Sequence, residues 1–526
     1  MRYRFLEQIK EVSIVKIRTP HEELEKVDDA PIRSYEEINE KIKRGDVVVV
    51  TAEEMIKIVE EEGVAKAAKD IDVVTTGTFG AMCSSGAFLN FGHADPPIKM
   101  ERVWLNEVEA YHGGAAVDCY IGVTKMSQTK PFKYGGGHVI EDLVAGKEIE
   151  VRAIAYGTDC YPRTRVETTI TIDDLNQAIL CNPRNAYQRY NAATNGRDEV
   201  IYTYMGKLLP HYGNVTFSGS GCLNPLCNDP DYETIGVGTR IFLGGGIGYV
   251  IGEGTQHNPK EQFGTLMVKG DLKKMKPRYL RGAAFAKYGT TMFVGVGVPI
   301  PILNQRLALK TAVSDEEITT KILDYGVPRL QRPVLREVTY SELKSGRIEL
   351  NGETVKVSPL SSISMAREIA ETLKKWIENG EFFLSAPVER LPQDVVFKPM
   401  KMTKEVKYVK ALMKTAVTCK RNDTIESVAK TIISKNVNHV VVVDEDGKLA
   451  GIVTSFDITR AVAENKKNLA EIITKRVIFA EPDEPVDAAA RRMKEHDISA
   501  LPVIDSQRKV IGIITSEDLS GLITGG

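Results

Sequence analysis

Gly451–Val462, GIVTSFDITRAV, comes back further along the chain as GIITSEDLSGLI at 512–523. Each copy is an apolar β-type run that ends in Thr-Ser-x-Asp and opens a helix. Thr454 and Thr515, Asp457 and Asp518, Asp444 and Asp505, and Ala416 and Val477 all stand at one constant spacing. A unit duplicated in register is one supersecondary module used twice, so the C-terminal part is expected to be a separate domain of two alike halves, 403–462 and 463–526. Immediately upstream, 386–402 carries three prolines and no helical pattern, and reads as a linker.

The rest of the chain is larger. With 526 residues and 42% hydrophobic content, more than one core is expected and there is ample apolar material to fill them. A net charge of −2 with 27% charged residues of both signs provides no basic field for nucleic acid and no polybasic membrane patch. The N-terminal stretch 1–33 is broken by charges every few residues, so it reads as an extension rather than a signal peptide or a membrane span, and a cytoplasmic location is expected. The main domain is expected over 34–385. Ser34 caps a helix stopped by Gly45, Val47–Val50 reads as a buried strand, and Thr51 opens a second helix that runs to Glu62 and Gly63. This alternation predicts an α/β fold. Further along, the pattern predicts helix near Asp173–Leu180, a hairpin at Asn351-Gly352, and a helix from Ser361 to Glu378 closed by Gly380. Glycine clusters crowd Thr75–Gly254, but none is a dinucleotide fingerprint or a P-loop, and each alone reads as a tight turn.

Seven cysteines, an odd number without a dense framework, point to free thiols in a reducing compartment. Two of them stand out. Cys83 lies in TTGTFGAMCSSG (75–86) and Cys160 in YGTDCYPR (156–163), each in a Gly/Thr/Ser-rich turn just past a β-type segment. Such turns can present a thiolate as a nucleophile or sulfur carrier, whereas an ordinary free cysteine is a small buried hydrophobe. Cys222 and Cys227 have a C-x₄-C spacing too loose for a metal site, with His211 a weak third candidate, and core packing is the better reading; no metal is expected. Cys119, Cys181 and Cys419 read as buried fillers.

The duplicated segment resembles a tandem pair of CBS domains over about 404–522, on its repeated G-h-h-T-S-x-D signature. The resemblance implies adenosine clefts in which Thr454 with Asp457, and Thr515 with Asp518, meet ribose hydroxyls. The implied walls are Asn438, Val440 and Val477 on one side, and Ser499, Leu501 and Ala416 on the other. The two aspartates are equally placed to cap their helices. S-adenosylmethionine, AMP and ATP all remain open as ligands, and such pairs commonly dimerise.

The strings DVVTTGTFGAMCSSGAFLNFGHADPPIK (72–99), GGGHVIEDLVAGKEIEVRAIAYGTDCYPR (135–163) and DDLNQAILCNPRNAYQ (173–188) resemble the archaeal homocysteine-biosynthesis, sulfur-incorporation family over about 34–392. The resemblance implies a large Gly-rich α/β catalytic domain of uncertain topology that transfers sulfur, from sulfide or a persulfide, to L-aspartate semialdehyde. The family's two cysteines match Cys83 and Cys160. In the expected scheme Cys160 carries the sulfur, Cys83 resolves, and a disulfide between them is reopened by an external reductant. No cluster-binding cysteine run exists, so electrons are expected from a separate ferredoxin-like donor, and no tightly bound cofactor is expected. His93, ahead of His138 and His257, is the expected acid, and Arg163, ahead of Arg184, the expected partner of the substrate carboxylate. The competing readings are a non-catalytic adenosine sensor and a sulfur carrier in cofactor assembly. Hyper-reactive thiols at 83 and 160 would speak against the sensor.

Overall fold

The computed structural model describes residues 27–328, 331–401, 407–505 and 507–520, which form two compact units divided between Lys398 and Pro399. Most of the expected 1–33 extension therefore lies outside the described residues. Arg33 belongs to the body of the first unit: its guanidinium pairs with the buried Asp72 at 3.0 Å and donates to the Ala68 carbonyl at 2.9 Å.

The expected caps form. Ser34 accepts from Glu37 N while the Glu37 carboxylate accepts from Ser34 N, opening the helix Tyr35–Arg44, and Gly45 ends it with a φ of 76°. Thr51 and Glu54 repeat the device for Ala52–Glu62. Asn351 and Gly352, both at positive φ, turn the hairpin between Arg347–Leu350 and Glu353–Pro359.

The glycine-rich middle of the chain is mostly antiparallel sheet. Nine strands form one sheet whose path runs Leu280–Phe285, Gly289–Gly297, Arg240–Leu243, Gly246–Glu253, Leu266–Asp271, Gln177–Asn185, Gly86–Asn90 and Asp118–Gly122, with Thr78–Ala81 paired to Gly289–Gly297 off that path. A four-stranded antiparallel sheet contains Ile149–Ile154 beside Arg165–Ile170, and a six-stranded mixed sheet contains Ala192–Thr194 beside Thr319–Asp324. A three-stranded sheet pairs Val49–Thr51 parallel to Val73–Thr75.

Two expectations change. The helix expected near Asp173–Leu180 is the strand Gln177–Asn185, preceded by a single 3₁₀ turn; Ala178, Leu180 and Asn182 are buried alternately, the period of a strand and not of a helix. The helix of this region is instead Gly136–Val144, hidden in the sequence by its opening glycines. Those glycines are needed for contact, because a Cβ at Gly136 would stand 2.1 Å from the Gly122 carbonyl oxygen and one at Gly137 2.3 Å from that of Thr291. The expected linker also starts later than 386. Glu389–Arg390 pairs with Gly236–Val237 as an edge strand, Leu391 is buried, and His257 Nε2 bonds the Pro392 carbonyl at 3.0 Å. The prolines prevent a helix there but not edge pairing.

In the second unit, a sheet of Thr418–Lys420, His439–Val443 and Leu449–Thr454 is flanked by the helices Ile425–Lys435 and Ser455–Ala463. Its counterpart pairs Ala500–Ile504 with Val510–Thr515 beside Val486–Glu495. Val441 and Val443 pack on Ala500 and Ile513 to join the halves.

In the first unit, the helix Ile363–Glu378 lies on the strands Thr78–Ala81 and Gly289–Gly297. A methyl group at Gly77 would meet the Ala366 carbonyl oxygen at 2.1 Å. Gly77→Ala should therefore destabilise the first unit by about 1–3 kcal/mol through overpacking, read as a lower urea midpoint at unchanged slope.

Candidate active site

Cys83 stands in the turn between the strands Thr78–Ala81 and Gly86–Asn90. The buried side chain of Asn182 fixes that turn: its Oδ1 accepts from Ser84 Oγ at 3.1 Å and its Nδ2 donates to Ser85 Oγ at 2.7 Å. Asn182 Oδ1 also accepts from Arg184 N at 2.8 Å, where a β-bulge interrupts pairing with Leu266–Asp271. One amide thus places the thiol turn and the Arg184 backbone together.

Both side chains face a cavity of about 320 Å³ that is also lined by Tyr187, Tyr190, Tyr204, Tyr288, Ser218 and Gln256. Cys83 Sγ lies 3.2 Å from Thr291 Oγ1. Arg184 Nε is buried with no hydrogen-bond partner among the described residues, while its guanidinium lies against the Tyr187 phenol. Burial, together with the nearby Cys83 sulfur, pushes the Tyr187 and Tyr288 phenols up, the Arg184 cation opposing this at Tyr187, so both hydroxyls stay protonated as donors. A thiol, a guanidinium and several phenols around one cavity suit addition to the carbonyl of a small anionic substrate.

Cys160 is elsewhere. It is exposed on the turn between Ile149–Ile154 and Arg165–Ile170, with its sulfur 3.6 Å from Thr158 Oγ1. Next to it, Tyr161 stacks on the exposed His93 ring at 6.0 Å, and Arg163 Nε donates to the Pro96 carbonyl at 2.9 Å. Three expected site residues, Cys160, His93 and Arg163, therefore share one surface, and none of them lines the Cys83 cavity. The strand Gly86–Asn90 runs between the two places and by itself spans roughly 15 Å. Arg163 is engaged by backbone carbonyls, and it is Arg184, the second choice, that faces the cavity. His257 is buried between backbone groups, and His138 accepts from Gly135 N and stacks on Tyr134, so neither reaches the cavity wall.

In the second unit a cavity of about 250 Å³ is lined by His439, Thr454, Arg476, Val477, Ile498 and Ser499, among others. Thr454 Oγ1 donates to Asp457 Oδ2 at 2.7 Å, and Thr515 Oγ1 to Asp518 Oδ2 at 2.8 Å; each carboxylate also accepts from its threonine's N–H, so the two aspartates close capping boxes opened by the threonines. Asp518 additionally pairs with Lys414. Of the other expected wall residues, Val440 and Leu501 are buried in the cores, Ala416 packs between the halves, and Asn438 bonds Ser455.

The model of the homocysteine biosynthesis enzyme, sulfur-incorporation family matches residues 47–384, and CBS domain models match 409–464 and 469–525. The chain belongs to this sulfur-incorporation family. It is 57% identical to an L-aspartate semialdehyde sulfurtransferase of Methanosarcina acetivorans, over 93% of this chain and 99% of that protein. It is 56% identical to one of Methanocaldococcus jannaschii, over 94% and 99%. A solved CBS domain pair in complex with 5′-methylthioadenosine and S-adenosyl-L-methionine is 48% identical, covering 23% of this chain and 98% of that one, with a TM-score of 0.23. As a member of the sulfur-incorporation family the chain is an enzyme, a sulfurtransferase of homocysteine biosynthesis, and its second unit is a CBS pair.

Within the family signature, Asn182, Arg184 and Tyr187 were in view as part of DDLNQAILCNPRNAYQ, but nothing in that string marks the amide as the tie to Cys83. Tyr204 and Tyr288 come from separate hairpins and carry no sequence signal. No helix among the described residues is long and apolar enough to cross a membrane, and no group of three or more His, Cys, Asp or Glu among them could hold a metal ion.

Burial pushes the Cys119, Cys222 and Cys227 thiols up to about 12. At pH 8 these three should remain unalkylated by iodoacetamide until the protein is denatured, while Cys160 and Cys83 are modified in the native state. Peptide mass spectrometry reads the order, and native-state labelling of Cys222 or Cys227 at the rate of Cys160 would contradict it.

Proposed function

We propose that the Cys83 cavity is where sulfur is joined to the aldehyde carbon of L-aspartate semialdehyde, with Arg184 holding the substrate carboxylate. The observation that carries this is the placement on one cavity wall of a thiol and of a guanidinium whose Nε has no hydrogen-bond partner among the described residues. The roles first expected for the two cysteines are exchanged. The sulfur that attacks carbon is carried where the substrate is enclosed, on Cys83, and the exposed Cys160 is the thiol that meets partners arriving from solution.

The chemistry balances as follows. The terminal sulfur of a Cys83 persulfide adds to the aldehyde carbon, and the carbonyl π pair becomes an alkoxide that takes a proton. Attack of a second thiolate on the Cys83 sulfur breaks the S–S bond, forms a disulfide and frees the sulfur on carbon. Loss of water leaves a thiocarbonyl, which needs two electrons and two protons to become the thiol. Sulfide then attacks the Cys83 sulfur of that disulfide, which expels the second thiolate and reloads the Cys83 persulfide, so a separate ferredoxin-like donor supplies only the two electrons for the thiocarbonyl. For Cys160 to be the second thiolate, its turn must move to the cavity or act from a second copy of the chain, because within this structure the two sulfurs do not share a pocket.

The CBS cavity is proposed to take an adenosine ligand, with Thr454 on the ribose, its capping partner Asp457 behind it, and Arg476 on an anionic tail, either a phosphate or a carboxylate. Occupancy would tune sulfur transfer by linkage.

Homocysteine formation from aspartate semialdehyde, sulfide and a reductant should fall to background in Cys83→Ser. In Arg184→Gln the KM for the semialdehyde should rise about 10–100-fold, the loss expected for a charged hydrogen bond. Full turnover in Cys83→Ser would remove the assignment. Separately, titration of the full chain with S-adenosylmethionine, AMP and ATP should show Thr454→Ala weakening the preferred ligand at least about tenfold, the cost of one lost ribose hydrogen bond in a closed site; unchanged affinity would refute the cleft.

A further inference from the structure

Sulfur addition to an aldehyde needs a proton on the departing π pair. The described residues lining the Cys83 cavity include no histidine and no carboxylate. The acids present are phenols, and they are not equivalent. Tyr190 OH donates to Tyr204 OH at 3.2 Å, and the Tyr204 and Tyr325 hydroxyls are 2.8 Å apart. Tyr204 is therefore the centre of a three-phenol chain.

We propose that the Tyr204 hydroxyl is the proton donor to the carbonyl oxygen as sulfur adds in the Cys83 cavity, a step that rests on that cavity being the transfer site.

Three observations carry it. First, Tyr204 lines the cavity and its ring is 6.1 Å from that of Tyr288, a second lining residue, on the Cys83 side. Second, the flanking phenols suit the charge left behind. When the Tyr204 O–H bond breaks and the proton passes to the alkoxide, the phenolate accepts two charge-assisted bonds, from Tyr190 and Tyr325. The Arg332 guanidinium, 4.1 Å over the Tyr325 ring, adds a cation at the far end of the chain. Burial pushes the Tyr190 and Tyr325 phenols up, so these two keep their protons and can donate to Tyr204. Third, the turn is held firmly. Thr203 Oγ1 accepts from Met205 N at 3.0 Å and donates to the Gly206 carbonyl at 3.1 Å, and Met205 is buried. A water proton restores Tyr204 after each turnover.

The test is steady-state kinetics of Tyr204→Phe with Cys83→Ser alongside. Tyr204→Phe should lose about 10²–10⁴-fold in kcat with KM within a few-fold, while its Cys83 alkylation rate stays that of the parent. Replacing Tyr204 by 3-fluorotyrosine, a more acidic phenol of nearly the same shape, should move the alkaline arm of the pH–kcat profile to lower pH, which a purely structural hydroxyl would not do. Tyr204→Phe with kcat within about twofold of the parent, or a fluorotyrosine profile that does not move, overturns the proton-donor role even when Cys83→Ser is inactive. Full turnover in Cys83→Ser instead overturns the transfer site itself, and the proposal with it.

Discussion

The Asn182 side chain is the tie on which the catalytic unit depends. It is wholly buried, and its one amide bonds Ser84 and Ser85 in the thiol turn and the Arg184 backbone in the bulge opposite. A buried amide costs free energy unless its donors and acceptors are matched, so the geometry that satisfies Asn182 also sets where Cys83 and Arg184 stand. The bulge matters for the same reason. In a regular ladder, Arg184 would follow the strand's alternation; the extra residues of the irregularity between Asn182 and Asn185 re-aim it.

The division of labour proposed for the two cysteines rests on where each of them stands. One is enclosed with a cation and phenols, the other is on an exposed turn with His93 and Arg163. Carbon–sulfur bond formation favours the cavity, where hydrogen-bond donors are fixed in advance. Exchange with a donor protein or a reductant favours the exposed one, because thiol–disulfide exchange needs access to the sulfur along the bond it breaks.

The CBS pair shows how a sequence repeat can be broken in three dimensions. Thr454 with Asp457 and Thr515 with Asp518 form the same capping arrangement. Burial by itself raises the Asp518 carboxyl, but the Lys414 ammonium and the Thr515 bonds outweigh it and hold the group below the usual carboxylate range. Arg460 is paired with Glu464 on its own helix, and Arg476 is the cation at the cavity.

Capping boxes, the Asn351-Gly352 hairpin, the duplicated Thr-Ser-x-Asp unit and the two cysteine-bearing strings were determined by the sequence alone, because each depends on residues a few positions apart and on local backbone preference. The helix expected near Asp173–Leu180 failed where burial, a long-range property, overrode local pattern. Arg184 over Arg163, the absence of histidine from the cavity wall, and the phenol chain of Tyr190, Tyr204 and Tyr325 were decided only by the tertiary structure. Their side chains come from strands and hairpins far apart in the chain, and it is the register of antiparallel sheets, fixed by packing across both faces, that brings them to one cavity.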